Sequence, residues 1–186
     1  MTDEQYTLLK EEYVSHIKSY VTSQGGLFPH LSIFADVKKP EKGEEDKPAL
    51  IHIPIPDEYM EDDESKESFI KDVVPDLFSS IKKEFIPYGV AWAAEAWMRV
   101  ADKKFDADKD DYKKLPIRKE VIIITIESLN LEEAFLYEIK REGKQVNGDG
   151  ELTDAISLIS IEGMDKPDGL GGRFSGLFKK FKNDVK

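Results

Sequence analysis

The sequence predicts an α+β fold: an antiparallel meander of three to four strands covered by a long kinked helix, with an N-terminal helix, a peripheral hairpin and a basic C-terminal tail. Three observations carry that expectation. From Val90 to Val100 alternate residues form two faces, Val90, Trp92, Ala94, Ala96, Met98 and Val100 against Ala91, Ala93, Glu95, Trp97 and Arg99, the two-residue period of a strand. Val121 to Ile126 is apolar on both faces, as an interior strand covered on two sides should be. Between Asp63 and Glu84, Phe69, Val73, Leu77 and Ile81 recur at steps of four, with Ile70, Val74 and Phe78 widening the stripe, which is helical spacing.

The elements follow in chain order. Asp3 to Thr22 carries Tyr6, Leu9, Tyr13, Ile17 and Tyr20 on one helical face, and Gln24-Gly25-Gly26 stops it. Leu27 to Val37 alternates as a strand, Lys38 to Lys47 is a polar turn, and Ala49 to Ile55 returns as a short strand. Pro54 and Pro56 lack the N–H a ladder requires, which places that strand at an edge. Within Asp63–Glu84, Pro75 removes one helical hydrogen bond, so either the axis bends or two helices abut there, with Pro75 in the first turn of the second. Ala134 to Arg141 is a third meander strand, QVNGDG is a turn built on residues that tolerate positive φ, and Leu152 to Ile161 is a fourth strand. Residues 1–162 form the domain, and 163–186 are a glycine-rich linker and an amphipathic tail.

Charge excludes some functions and localises others. With 27 Lys and Arg against 38 Asp and Glu, the net charge of −11 opposes direct binding to a phosphate backbone. Eleven acids and three bases fall between Glu41 and Glu67, whereas Lys166 to Lys186 holds six bases against Asp168 and Asp184. The tail places Phe174, Leu177, Phe178 and Phe181 at helical spacing beside Lys179 and Lys180, the pattern of a segment that docks in a groove. It could also touch a membrane surface weakly.

Catalytic chemistry has little to work with. There are no cysteines, which excludes disulfides, thiol nucleophiles and cysteine metal sites and suits a reducing cytoplasm. His16, His30 and His52 lack metal-ligand spacing, no glycine-rich phosphate loop follows a strand, and no serine has a nucleophile-elbow context. Asp106, Asp108 and Asp110 open like a calcium loop, but Asp111 and Ile117 stand where the turn glycine and the bidentate acid belong. No metal or cofactor is expected. The one constellation suited to a ligand is Glu95, Trp97 and Arg99 on one strand face, with Glu127 close by if the next strand pairs antiparallel. A carboxylate beside an indole can be raised in pKa, and an arginine can bind an anion.

The run WAAEAWM, a polar loop and then RKEVIIITIE, spanning Val90 to Glu127, resembles small α+β proteins of bacteria and their phages to which no chemistry is assigned. The resemblance implies origin, not activity. The functional expectation is therefore a non-enzymatic interaction or accessory protein, cytoplasmic and without a transmembrane segment, binding a protein partner or itself through its acidic surface and basic tail. The alternative is a small ligand binder or enzyme that uses Glu95, Arg99 and Glu127.

Overall fold

The computed structural model describes residues 2–38, 48–99, 114, 115, 117–128, 132–161 and 178, with the side chains of Asp63, Arg99, Ile117 and Arg118 left aside. Its elements are helix α1 (Asp3–Gln24), strands β1 (His30–Val37) and β2 (Pro48–Pro54), helices α2 (Asp63–Ser68) and α3 (Val74–Glu84), and strands β3 (Phe85–Arg99), β4 (Ile117–Ser128), β5 (Glu132–Val146) and β6 (Leu152–Ser160). All six strands join one antiparallel sheet in the order β2-β1-β3-β4-β5-β6.

This sheet corrects the expected fold. There is no meander of three to four strands flanked by a peripheral hairpin, because β1 pairs along its whole length with β3 and so lies inside a six-stranded sheet. The long kinked helix is also absent. Its residues form the 6-residue α2, a π-helical turn over Phe69–Val73 and the 11-residue α3, with Pro75 in the first turn of α3. A proline there costs little, since the first N–H groups of a helix have no internal partner.

Two helical layers cover opposite faces of the sheet. On one, α1 buries Leu9, Tyr13, Ile17 and Val21 against Phe34, Ala91, Ala93, Ile122, Ile124, Ile126, Tyr137, Ile139 and Ile156. The alanines beneath this helix are Ala91 and Ala93. On the other face Phe69, Ile70, Val74 and Phe78 pack against Leu31, Ile33, Ala35 and Val90. Each large side chain buried in this way contributes about 1.5–3 kcal/mol.

Local chemistry fixes the ends. Thr2 and Gln5 form a reciprocal capping box at the start of α1, and Gly25, at φ 77°, closes it by donating its N–H to the Val21 carbonyl. At the centre, Gly89 stands opposite Phe34, and a Cβ at Gly89 would lie 2.6 Å from the Glu127 carbonyl oxygen. Only glycine lets β4 come that close. At the outer edge Pro48 and Pro54 terminate β2, where missing N–H donors leave no ladder bond unmade.

Candidate functional site

Glu95 projects from β3 on the α1 side, in register with Ile122. Its Oε1 accepts the Leu27 N–H at 2.7 Å, which ties down the turn between α1 and β1. Arg141 of β5 reaches the same place. Its guanidinium pairs with Glu120 through two N–H groups, donates to Asp154 Oδ2 at 2.9 Å and to the Gly25 carbonyl at 3.3 Å, and lies 3.8 Å from Glu95 Oε2. The last turn of α1 has no basic residue of its own, so Arg141 supplies the positive charge its exposed carbonyls favour. Burial raises the Glu95 pKa, while the Leu27 N–H and Arg141 oppose the rise. Hydrogen bonding to Glu120 is the main reason the Arg141 pKa is raised further. This arrangement works as a clasp joining α1 to four strands.

The other residues singled out from the sequence do not gather around Glu95. Trp97 is 66% exposed near the end of β3, and Arg99 pairs with Ile117 across a register shift. β3 and β4 do pair antiparallel, yet the register sets Glu127 opposite Val90, on the α2–α3 side of the sheet. There Glu127 is 5% exposed, and its Oε2 accepts the Phe178 N–H at 3.3 Å. Phe178 is itself buried, in the cluster of Leu31, Ile33, Val90 and Phe78. The remaining tail positions, Phe174, Leu177, Lys179, Lys180 and Phe181, lie outside the described residues, as do Asp106, Asp108 and Asp110.

A third constellation is invisible to sequence spacing. All three histidines of the chain meet where α1 crosses the start of β1 and the end of β2. The His16 and His52 ring centres are 5.3 Å apart, and those of His30 and His52 are 5.8 Å apart. Beneath them Tyr13 is fully buried, stacked on His52 at 6.3 Å and edge-on to His30 at 5.9 Å. With Tyr20, Phe28, Pro29 and Pro54 the histidines line a cleft of about 190 Å³. His16 and His52 are exposed at its rim, and His30 is half-buried.

The polar atoms under the cleft form two hydrogen-bonded pairs, Tyr13 with His30 and Ser32 with His52. His30 Nδ1 lies 3.0 Å from the Phe28 carbonyl, which can only accept, so Nδ1 carries the proton. In the neutral ring His30 Nε2 is then an acceptor, and it takes the Tyr13 hydroxyl proton at 3.3 Å. Ser32 is fully buried, and its hydroxyl lies 2.8 Å from His52 Nδ1. Burial pushes the Tyr13 phenol above its usual pKa. Burial also lowers His30 and His52, and the neighbouring histidines push both the same way. Among the described residues, no group of three or more histidines and carboxylates is placed to hold a metal ion.

Fold and site together define a three-layer α+β protein. Its sheet separates a charged clasp and a histidine cleft, on the α1 side, from an apolar seat holding Phe178. Set against known proteins, the chain matches no family model, no curated protein and no solved structure. No helix among the described residues is long and apolar enough to cross a membrane.

Proposed function

We propose that this is a non-enzymatic interaction protein of a bacterium or phage, working in the cytoplasm and binding a protein partner, or a second copy of itself, through its acidic surface and basic tail. The observation that carries the reading is the seating of Phe178. An aromatic residue from an amphipathic basic segment lies in an apolar seat, 4% exposed, with its N–H on the buried carboxylate of Glu127. A domain that takes such a residue from its own tail has the chemistry to take one from another chain. Charge supports the same view, since Asp57, Glu58, Glu61, Asp62, Glu64 and Glu67 are exposed around the start of α2. One of these acids also has a structural task, as Asp62 caps α2 by accepting the Ser65 N–H at 2.7 Å.

The alternative of a ligand binder or small enzyme on Glu95, Arg99 and Glu127 has less behind it. Glu95 and Glu127 face opposite sides of the sheet, and Glu95 already serves Leu27 and Arg141.

Removing Gly172 to Lys186 tests the proposal, with assembly state followed by light scattering and binding of the free Arg173–Lys186 peptide followed by titration. The expected result is altered assembly together with saturable, salt-sensitive peptide binding that Phe178→Ala in the peptide abolishes. An unchanged assembly state with no peptide binding would remove the docking role.

A further inference from the structure

The two outer strands of the sheet, β2 and β6, end it in different ways. In an antiparallel strand the N–H and C=O of alternate residues point to the neighbouring strand, and those of the residues between point away. Beside β2 the Ile55 N–H donates to the Pro29 carbonyl at 3.0 Å, so the odd-numbered residues face β1 and Pro48, Leu50, His52 and Pro54 face outward. Both ends of that outward row are prolines, which have no N–H to offer a further strand.

β6 carries no such block. The Ile161 N–H donates to the Leu136 carbonyl at 3.0 Å, and the Glu151 carbonyl accepts the Asn147 N–H at 2.8 Å. Both bonds turn odd-numbered residues toward β5, which leaves Leu152, Asp154, Ile156, Leu158 and Ser160 pointing N–H and C=O away from the sheet. None of these is proline, and among the described residues no strand lies on that side. Asp154 is the only charged side chain of the strand, and Lys144 and Arg141 already hold it. Val146, Leu152 and Ile159 stay 67%, 72% and 51% exposed along the same hairpin. Prolines or free charges guard the open edges of natural sheets, and β6 has neither.

A second copy of this strand fits the edge. The middle residue of Leu152–Ser160 is Ile156. About a two-fold axis there, Ile156 meets Ile156, Asp154 meets Leu158 and Leu152 meets Ser160, so every outward group pairs with an outward group. No like charges face each other, since the two Asp154 side chains stand four residues apart along the strand, about 13 Å. Thr153 donates to the Gln24 carbonyl at 2.9 Å and so marks where α1 ends over β6. In the pairing it lies opposite Ile159 of the second copy, which puts the two α1 C-termini at opposite ends of the seam. With β2 blocked by its prolines, the pairing uses the open edge of each copy and closes as a dimer, with no edge left for a fibre.

We propose that this chain forms a two-fold dimer by antiparallel pairing of β6 with β6, joining two six-stranded sheets into one continuous sheet. The seam is separate from the seat of Phe178 and from the acids around α2.

Sedimentation equilibrium over a concentration series, with residue-resolved amide exchange on the same samples, tests this. The intact chain should sediment as a dimer that dissociates on dilution. Amides of Asp154, Ile156 and Leu158 should exchange about tenfold more slowly than in the dissociated chain once the concentration is about ten times the dissociation constant. Those of Ala155, Ser157 and Ile159, turned toward β5, should be protected at every concentration. Leu158→Pro removes an outward N–H, leaves the ladder to β5 unbroken and should be monomeric. Leu158→Ala loses the side chain but keeps the N–H, and should still dimerise. The proposal is overturned by a chain that stays monomeric at about 1 mM, or by a dimer whose outward amides exchange as fast as the monomer's. Outward amides protected in a monomer would mean that another segment of the chain covers β6, which overturns it too. Should Leu158→Pro not fold, the wild-type exchange pattern decides alone. The seam uses no tail residue, so the dimer should survive removal of Gly172 to Lys186 whether or not the tail docks. Loss of the dimer in that variant would assign assembly to the tail and overturn the pairing through β6.

Discussion

Arg141 illustrates how a single side chain can hold a junction that no local sequence pattern announces. It meets Glu120, Asp154, Glu95 and the Gly25 carbonyl, groups drawn from β4, β6, β3 and the turn after α1. Glu95 was legible as unusual, being a carboxylate in an alanine-rich strand, but its partner lies 46 positions along the chain on β5. One signal was present. Phe135, Tyr137 and Ile139 form the apolar face of β5, and Arg141 continues that face with a charge. Arg141→Ala should lower stability by about 1–2 kcal/mol in urea denaturation, because it leaves three carboxylates crowded around a helix end, partly screened by solvent. Glu95→Gln keeps an acceptor for Leu27 and removes one of the crowded charges, so it should cost less than about 1 kcal/mol. Equal losses in the two variants would contradict the assigned roles.

At the scale of elements, periodicity identified stretches that become helices and strands, but it could not supply their neighbours. The pairing of β1 with β3 bridges residues 48 to 63 positions apart, for example Ile33 with Val90, and alternation in either strand is the same whether or not they meet. Burial of both faces of β1 was similarly concealed by Ser32, a polar residue whose partner His52 becomes visible only once the hairpin register is known. With Asp36 opposite Pro48, antiparallel pairing forces His52 opposite Ser32 and Pro54 opposite His30. The helix covering the second face was misjudged for a different reason. Its apolar stripe runs unbroken through Asp63–Glu84, while the backbone beneath passes from α to π and back to α. Pro75→Ala distinguishes the two pictures. In a continuous helix it would restore a lost bond and stabilise by up to about 3 kcal/mol. In the first turn of α3 it should instead destabilise slightly, by about 0.4–1 kcal/mol, through the freer unfolded chain. Denaturant midpoints with an unchanged m-value report which applies.

At the scale of the whole molecule, the ionisable groups divide into sets whose effects on stability have different signs and different pH windows. His30 and His52 have folded pKa values below the ordinary imidazole value, so their contribution is complete above about pH 6.5 and is lost as pH falls toward the folded values. Glu95 behaves in the opposite sense: its pKa is raised by burial, so its contribution is present at low pH and is lost as pH rises through the folded value. Glu138, held by Lys119 and Lys140, and Asp154, held by Lys144 and Arg141, titrate below the usual carboxylate range. Their contribution is present above that range and disappears as pH falls through it. Unfolding free energy measured across pH should therefore fall in two stages. The histidine stage should begin as pH falls below about 6.5, and the carboxylate stage below about pH 4. Salt separates them further, because Lys140 and Lys144 are exposed partners whose pairing added salt screens. The hydrogen bonds of Tyr13 with His30 and of Ser32 with His52 are short-range, and salt leaves them in place. Raising the ionic strength to about 0.5 M should thus flatten the carboxylate stage while the histidine stage persists. A single featureless decline, or loss of both stages together in salt, would mean that the histidine cluster contributes no stability of its own.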